Sequence, residues 1–355
     1  MILKNDTDRY HLCYLFVHDI SKDKYDGLSH VGEHTLLLPT DVGIGLIASG
    51  YTCLNHVYLY FGSKALEDLQ IVDKKIMSGE IFTDENVSFA KSQVLNEILR
   101  LRDKTTKYKK IVSFITEGRV ENAAIGNPVD VARIQTNDIV RWFENSKSGG
   151  RFYRFLYKDA HDMIMSSPIL EFSMRERKNI NIIEHAGSDS FLYTVSTDNA
   201  RSLQVYYRIA PFSTKTDVVK QALYEFCVQR KIQESLKIEV TIAERYFDIG
   251  ECYLLLEFSW DNHINVRDTI SIIRTEIKNI SANEYKSYLK EFMDNISIVL
   301  RQKESNSDVM NSIKNKILYS KPQITLEDVT CIESSELDVC LKERIISMPL
   351  KVVIS

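Results

Sequence analysis

The sequence predicts an α+β fold of two related halves, each a mostly antiparallel sheet packed with helices. Three observations lead there. Strand-like runs, dense in aromatic and branched side chains, are mixed with longer helical periodicities rather than alternating with them one for one. The order of elements repeats weakly after roughly 170 residues. The 355 residues are long for one compact core but comfortable for two domains of about 170 to 180 each. The expected boundaries are 1–175 and 186–355, with the join near residues 166–190.

Residues 9–18 (RYHLCYLFVH) are rich in aromatic and β-branched side chains and read as a strand. A Gly27-Leu28-Ser29 turn opens a helix over 28–38 that Pro39 stops. Residues 51–61 (YTCLNHVYLYF) read as a second strand. Residues 64–77 and 85–102 carry helical periodicity, the latter after a Thr83/Asp84 cap signal. Thr136-Asn137-Asp138 caps a helix to about residue 144, and 151–157 (RFYRFLY) closes the half as a strand. In the second half, 202–211 is a strand and 214–230 a helix, and 236–247 with 252–260 form a long antiparallel pair. Helices follow over 266–278, 282–302 and 307–318. A capped segment at 325–329 echoes the one at 136–140, and PLKVVIS ends the chain as a strand.

Composition narrows the function. Hydrophobic residues at 44% and charged residues at 26% are ordinary for a soluble domain. A net charge of −4 provides no basic field, so nucleic acid is not expected as a partner. No apolar run approaches a membrane span, so no membrane is expected either. MILKNDTDRYHLCYLFVHD lacks a secretory signal pattern, which makes a cytoplasmic location the expectation. The six cysteines are scattered without a CxxC pair and read as free thiols, not as a disulfide framework or a zinc knuckle.

One segment carries chemistry: Gly27-Leu28-Ser29-His30-Val31-Gly32-Glu33-His34. On a helix, His30 and His34 are four apart and share a face, so both imidazoles reach one cation. Glu33 lies beside that face, where its carboxylate can take a proton from water. HxxEH is the inverted form of the HExxH zinc signature. Two half-buried histidines on an ordinary helix would spell the same letters. A catalytic zinc needs a third protein ligand and an open position. Glu97, among Val94, Leu95, Ile98 and Leu99, is a carboxylate that burial would make costly without a partner such as a metal. An exposed helical glutamate fits the same spacing.

These residues resemble the pitrilysin, insulin-degrading enzyme and mitochondrial processing peptidase family. There, Gly-Leu-x-His-x-x-Glu-His opens the active-site helix, as Gly27 to His34 do, and a later V-x-x-E gives the third ligand, matching Val94 to Glu97. The family's edge strand, N-A-x-T-x-x-[DE]-x-T-x-Y, has its counterpart in residues 49–61, and 124–128 with 134–140 resemble its Gly turn and capped helix. The resemblance runs in order through the first half and more faintly through the second. It implies Zn2+ held by His30, His34 and Glu97, Glu33 as general base, and a peptide lying along Ser49, Gly50, Tyr51, Thr52 and Cys53. It also implies an enclosed chamber that admits peptides or unfolded segments, with the processing of a ribosomally made peptide as one setting it offers.

The departures shape the expectation. The His34-to-Glu97 spacing is shorter than the family usually shows, and the connection over 40–49 is clipped. The family's second carboxylate, seven residues before the ligand, is Ala90. Its substrate-gripping Arg and Tyr, seven apart, are not matched: Arg230 is present, but Lys237 stands where Tyr would. Some members split the work between subunits, so the chain resembles the metal-holding partner of a homologous subunit that brings the Arg/Tyr clamp, as a heterodimer or in a homodimer. Three readings stand: an active zinc endopeptidase subunit, a non-catalytic peptidase-like scaffold or peptide-binding subunit, and an unrelated α+β protein. His56 reads as a strand histidine bonded to a neighbour, Glu184-His185 as solvated, and 151–157 and the apolar stripe of 282–302 as core.

Overall fold

Strand β1 (Tyr10–Val17) is buried along nearly its whole length, on both faces, as an unbroken apolar and aromatic run requires of a central strand. The chain is seen in a computed structural model that describes residues 9–38, 45–115, 124–149, 151–160, 192–194, 202–209, 212, 214–248, 251–259, 266–278, 282–301, 306–319, 321–330 and 350–354. β2 (Ile47–Cys53), β3 (His56–Ser63) and β4 (Phe152–Tyr157) join β1 in an antiparallel sheet of order β2-β3-β1-β4, so β2 is an edge. Alternation sends Leu12, Tyr14, Phe16, Val57, Leu59 and Phe61 to one face. There they share a core with α1 (Leu28–Leu36), α2 (Leu66–Ser78), α3 (Asp84–Ile115), α4 (Pro128–Arg133) and α5 (Thr136–Ser148). Each fully buried Leu or Phe contributes about 1.5–3 kcal/mol. The nine-residue α1 is therefore held by its packing and not by propensity.

The second sheet is built from β5 (Leu192–Thr194), β6 (Ser202–Ile209), β7 (Val240–Asp248), β8 (Glu251–Ser259) and β9 (Leu350–Ile354), in the order β5-β9-β6-β8-β7. β6 is antiparallel to β8 and β9, whereas β5 is parallel to β9. Leu203, Val205, Leu256 and Phe258 pack on Val228 and Ile232 of α6 (Lys215–Leu236) and Ile270 and Ile273 of α7 (Val266–Lys278). The stripe of α8 (Ala282–Arg301) is core, as expected: Tyr288 and Phe292 meet Val219, Leu223 and Cys227. α9 (Asn306–Tyr319) and α10 (Leu326–Thr330) follow. The chain forms two compact units, one around each sheet, and residues 306–314 group with the first. No helix among the described residues is long and apolar enough to cross a membrane.

Several elements differ from the sequence expectation. The single strand over 51–61 is a hairpin: Leu54 and Asn55 turn the chain between β2 and β3. Neither is a usual tight-turn glycine; the turn is held from outside, by Ile20 N–H donating to Leu54 O and His18 N–H to Asn55 O at 3.1 and 3.0 Å. The helix expected to stop at 102 runs on to Ile115 because Ile111, Val112 and Ile115 are buried. α4 was not expected; Asn127 caps it by accepting from Asp130 N, with Pro128 in its first turn. Gln135, one residue earlier than expected, is the N-cap of α5, and its N–H donates to Asp138 Oδ2 at 3.0 Å. The strand expected from 236 starts at Val240, because α6 continues to Leu236 and ends on Lys237 in the left-handed region (φ 53°). Residues 166–190, 184 and 185, and 40–44 lie outside the described residues.

Candidate metal centre

The site grows from the start of α1. Gly27 has φ 102°, and Asp23 Oδ2 accepts from Ser29 N and Ser29 Oγ at 3.0 and 2.8 Å, satisfying the first turn. Gly126, at φ 87°, lies against Gly27 so closely that a Cβ on it would sit 2.6 Å from Gly27 Cα. That approach brings the 124–127 turn over the helix, and Ile125 O comes within 3.1 Å of His30 Nδ1. The sequence shows the glycines but not the carbonyl they deliver.

His30 and His34 point the same way, with ring centroids 4.9 Å apart. Glu97 of α3 faces both: Oε2 is 3.5 Å from His30 Nε2 and Oε1 is 3.6 Å from His34 Nε2. Val94 and Ile98, on either side of Glu97, pack in the same core as Leu28 and Val31, which locks α3 against α1. The three ligand atoms lie within 4.8 Å of one another, and no other such group of His, Cys, Asp and Glu occurs among the described residues.

The donor set fits a divalent cation. A backbone carbonyl only accepts, so the His30 proton is on Nδ1 and its Nε2 presents a lone pair to a carboxylate. Burial lowers the His30 pKa, keeping the ring neutral. Separations of 3.5 and 3.6 Å are long for hydrogen bonds. Ligand atoms each about 2.0–2.1 Å from a shared tetrahedral ion stand roughly 3.4 Å apart.

Glu33 is 4% exposed and faces β2. Its Oε2 accepts from Thr52 Oγ1 at 2.5 Å, and burial pushes its pKa up to about 7. Gly50 passes so close that a Cβ there would be 2.9 Å from Glu33 Oε1. The register divides the five edge-strand residues. Gly50 opposite Leu59 and Thr52 opposite Val57 are on the α1 face, while Ser49, Tyr51 and Cys53 share the other face with Tyr58 and Tyr60. Among the described residues no strand pairs with the outer side of β2, so alternate backbone groups there face away from the sheet. His56, 4% exposed, bonds Asn55 Oδ1 through Nδ1 at 2.7 Å and meets Tyr51 edge-on, so it is the neighbour-bonded strand histidine expected.

Sequence reasoning missed Gln93, whose Oε1 is 3.1 Å from His34 Nδ1. Its position four before Glu97, on the same helix face, is the signal that would find it. Ala90 is fully buried in the core. Arg230 pairs with Glu291 and lies over the Phe226 ring, so its guanidinium is engaged inside the second unit.

No family model matches the sequence. No curated protein matches it either. Solved structures do match. The periplasmic protease PqqL from Escherichia coli superposes with a TM-score of 0.70 at 12% identity, over 98% of this chain and 45% of that one. A putative M16-like peptidase from Alicyclobacillus acidocaldarius gives 0.65 at 14%, over 98% and 92%. A peptidase M16 inactive domain from Pseudomonas fluorescens gives 0.66 at 12%, over 99% and 94%. The chain has the α+β fold of the M16, pitrilysin-like peptidases. It spans under half the length of PqqL, so both of its sheets belong to the equivalent of one half of that protein, not to two full halves. The fold is shared by a peptidase and by an inactive domain, so function has to be argued from the side chains.

Proposed function

We propose that this chain is a zinc-dependent endopeptidase subunit that hydrolyses peptides or unfolded segments, with Glu33 as its general base. The convergence of His30, His34 and Glu97 beside a buried Glu33 carries the proposal. The residues 1–175 hold the metal half and 186–355 a related half without the motif.

In this reading the peptide adds as a strand to the open edge of β2, held through backbone groups, a mode that tolerates varied sequences. His30, His34 and Glu97 would hold the zinc, which when bound would supply Lewis acidity and make water easier to deprotonate. Thr52 occupies Oε2 of Glu33 and leaves Oε1 to exchange protons. Glu33 takes a proton from the water whose oxygen attacks the scissile carbonyl carbon. As the C–N bond breaks, it passes that proton to the departing amine. With Arg230 engaged by Glu291, a homologous subunit, or a second copy, supplies the grip on the substrate carbonyl. Maturation of a ribosomally made peptide is the setting we favour.

A non-catalytic, peptide-binding role is the competing reading; Ala90 and the likeness to the inactive domain favour it. Glu33→Gln separates the two. Catalysis predicts that the variant keeps zinc and loses peptide turnover, whereas equal turnover by variant and parent defeats the assignment.

A further inference from the structure

The two histidines are held differently. His30 Nδ1 faces a backbone carbonyl, which cannot donate, so its tautomer has a single solution. His34 Nδ1 faces the side-chain amide of Gln93, which has an acceptor end and a donor end. With Oε1 toward the ring, Nδ1 carries the proton and Nε2 turns a lone pair to the place shared with Glu97 Oε1, 3.6 Å away. With the amide reversed, its NH2 would donate to Nδ1, the ring proton would move to Nε2, and His34 would donate to Glu97 instead of binding a cation.

Resting on the zinc reading, we propose that Gln93 is the positioning residue that holds His34 in its metal-binding tautomer. The family resemblance leads one to expect a carboxylate at position 90 on this helix. Here that position is Ala90, turned into the core with Val94 and Ile98. Gln93 is three residues further along, on the face of Glu97, and while Glu97 faces Nε2 of His34, Gln93 meets Nδ1 of the same ring from α3. The site thus has one ligand fixed by backbone and one set by a rotatable neutral amide. A neutral acceptor also leaves His34 a weaker donor than a carboxylate partner would.

The test is zinc affinity of the full chain, measured by competition with a chromophoric chelator, with the Co2+ absorption spectrum reporting ligand geometry. Gln93→Leu removes the acceptor, and Gln93→Met does so with an unbranched chain that packs where Leu does not. Both should weaken zinc binding about 10- to 100-fold and alter the Co2+ spectrum. Gln93→Glu, an acceptor that cannot reverse, should bind at least as tightly as the parent. If Leu, Met and Glu variants all match the parent in affinity and spectrum, Gln93 is only filler and the inference falls, while zinc binding by the parent leaves the site itself standing. If the parent binds neither zinc nor cobalt, the underlying reading falls with it.

Discussion

Thr52 lies outside the ligand set, yet the structure makes it the residue that aims Glu33. Its hydroxyl donates to Glu33 Oε2 at 2.5 Å across a part-buried gap between the edge strand and the helix of His30 and His34. Hydrogen bonds to charged groups are worth about 1.5–3 kcal/mol. Spent entirely on holding the base, that is roughly a 10- to 150-fold effect on rate. Thr52→Val keeps the branched shape and the strand while removing the donor. Two consequences follow: the carboxylate loses its orientation, and its pKa, which the hydroxyl holds down against burial, moves further up. Zinc content should stay at the parent level, since no hydrogen bond joins Thr52 to His30, His34 or Glu97. With a fluorogenic peptide mixture, kcat/KM should drop by one to two orders of magnitude, and Thr52→Ser should recover most of it. Parent-level turnover by Thr52→Val, or loss of zinc along with activity, would refute this reasoning.

Other consequences concern stability as well as rate. A methyl at Gly50 would meet Glu33 Oε1 at 2.9 Å, so Gly50→Ala should depress kcat with zinc retained, as read by turnover and metal analysis. Gly126→Ala combines φ 87° with a Cβ 2.6 Å from Gly27 Cα; it should lower the denaturant midpoint by the equivalent of about 1–3 kcal/mol, and unchanged stability would contradict the close approach. His56 is buried, its Nε2 has no hydrogen-bond partner among the described residues, and burial first, then the charge of Lys314, pulls its pKa down to about 3. The folded pKa lies below the unfolded one, so this stability is intact above pH 6.5 and is lost as pH falls from there toward 3. At pH 5 the loss is about 2 kcal/mol. A His56→Gln variant should show a correspondingly shallower decline between pH 7 and 5 in urea melts.

What was legible in the sequence was mostly local. The aromatic density of 9–18 and 151–157 marked β1 and β4, and the apolar stripe of α8 marked its buried face. Contacts distant in sequence hid the rest. The β2–β3 hairpin was unreadable because its turn is stabilised by N–H groups from residues 18 and 20, not by turn residues. The last turns of α3 follow a charged run that breaks the period before Ile111, Val112 and Ile115 restore it. At the site, His30, Glu33 and His34 are spelled within five residues, whereas Glu97 took its place from the family resemblance. Ile125 O, as a backbone atom, leaves no letter, and Gln93 is visible only once His34 is seen to need a partner. The bond from the Thr52 hydroxyl to Glu33 joins residues 19 apart and is likewise invisible in the sequence.

Metal stoichiometry of the purified full chain probes the centre most directly. The parent should retain one zinc ion per chain after dialysis, and His30→Ala, His34→Ala and Glu97→Ala should each lose it while keeping the parent's circular dichroism. A parent that takes up no zinc, or a Glu97→Ala variant that holds it as tightly as the parent, would contradict a shared ion at these three side chains.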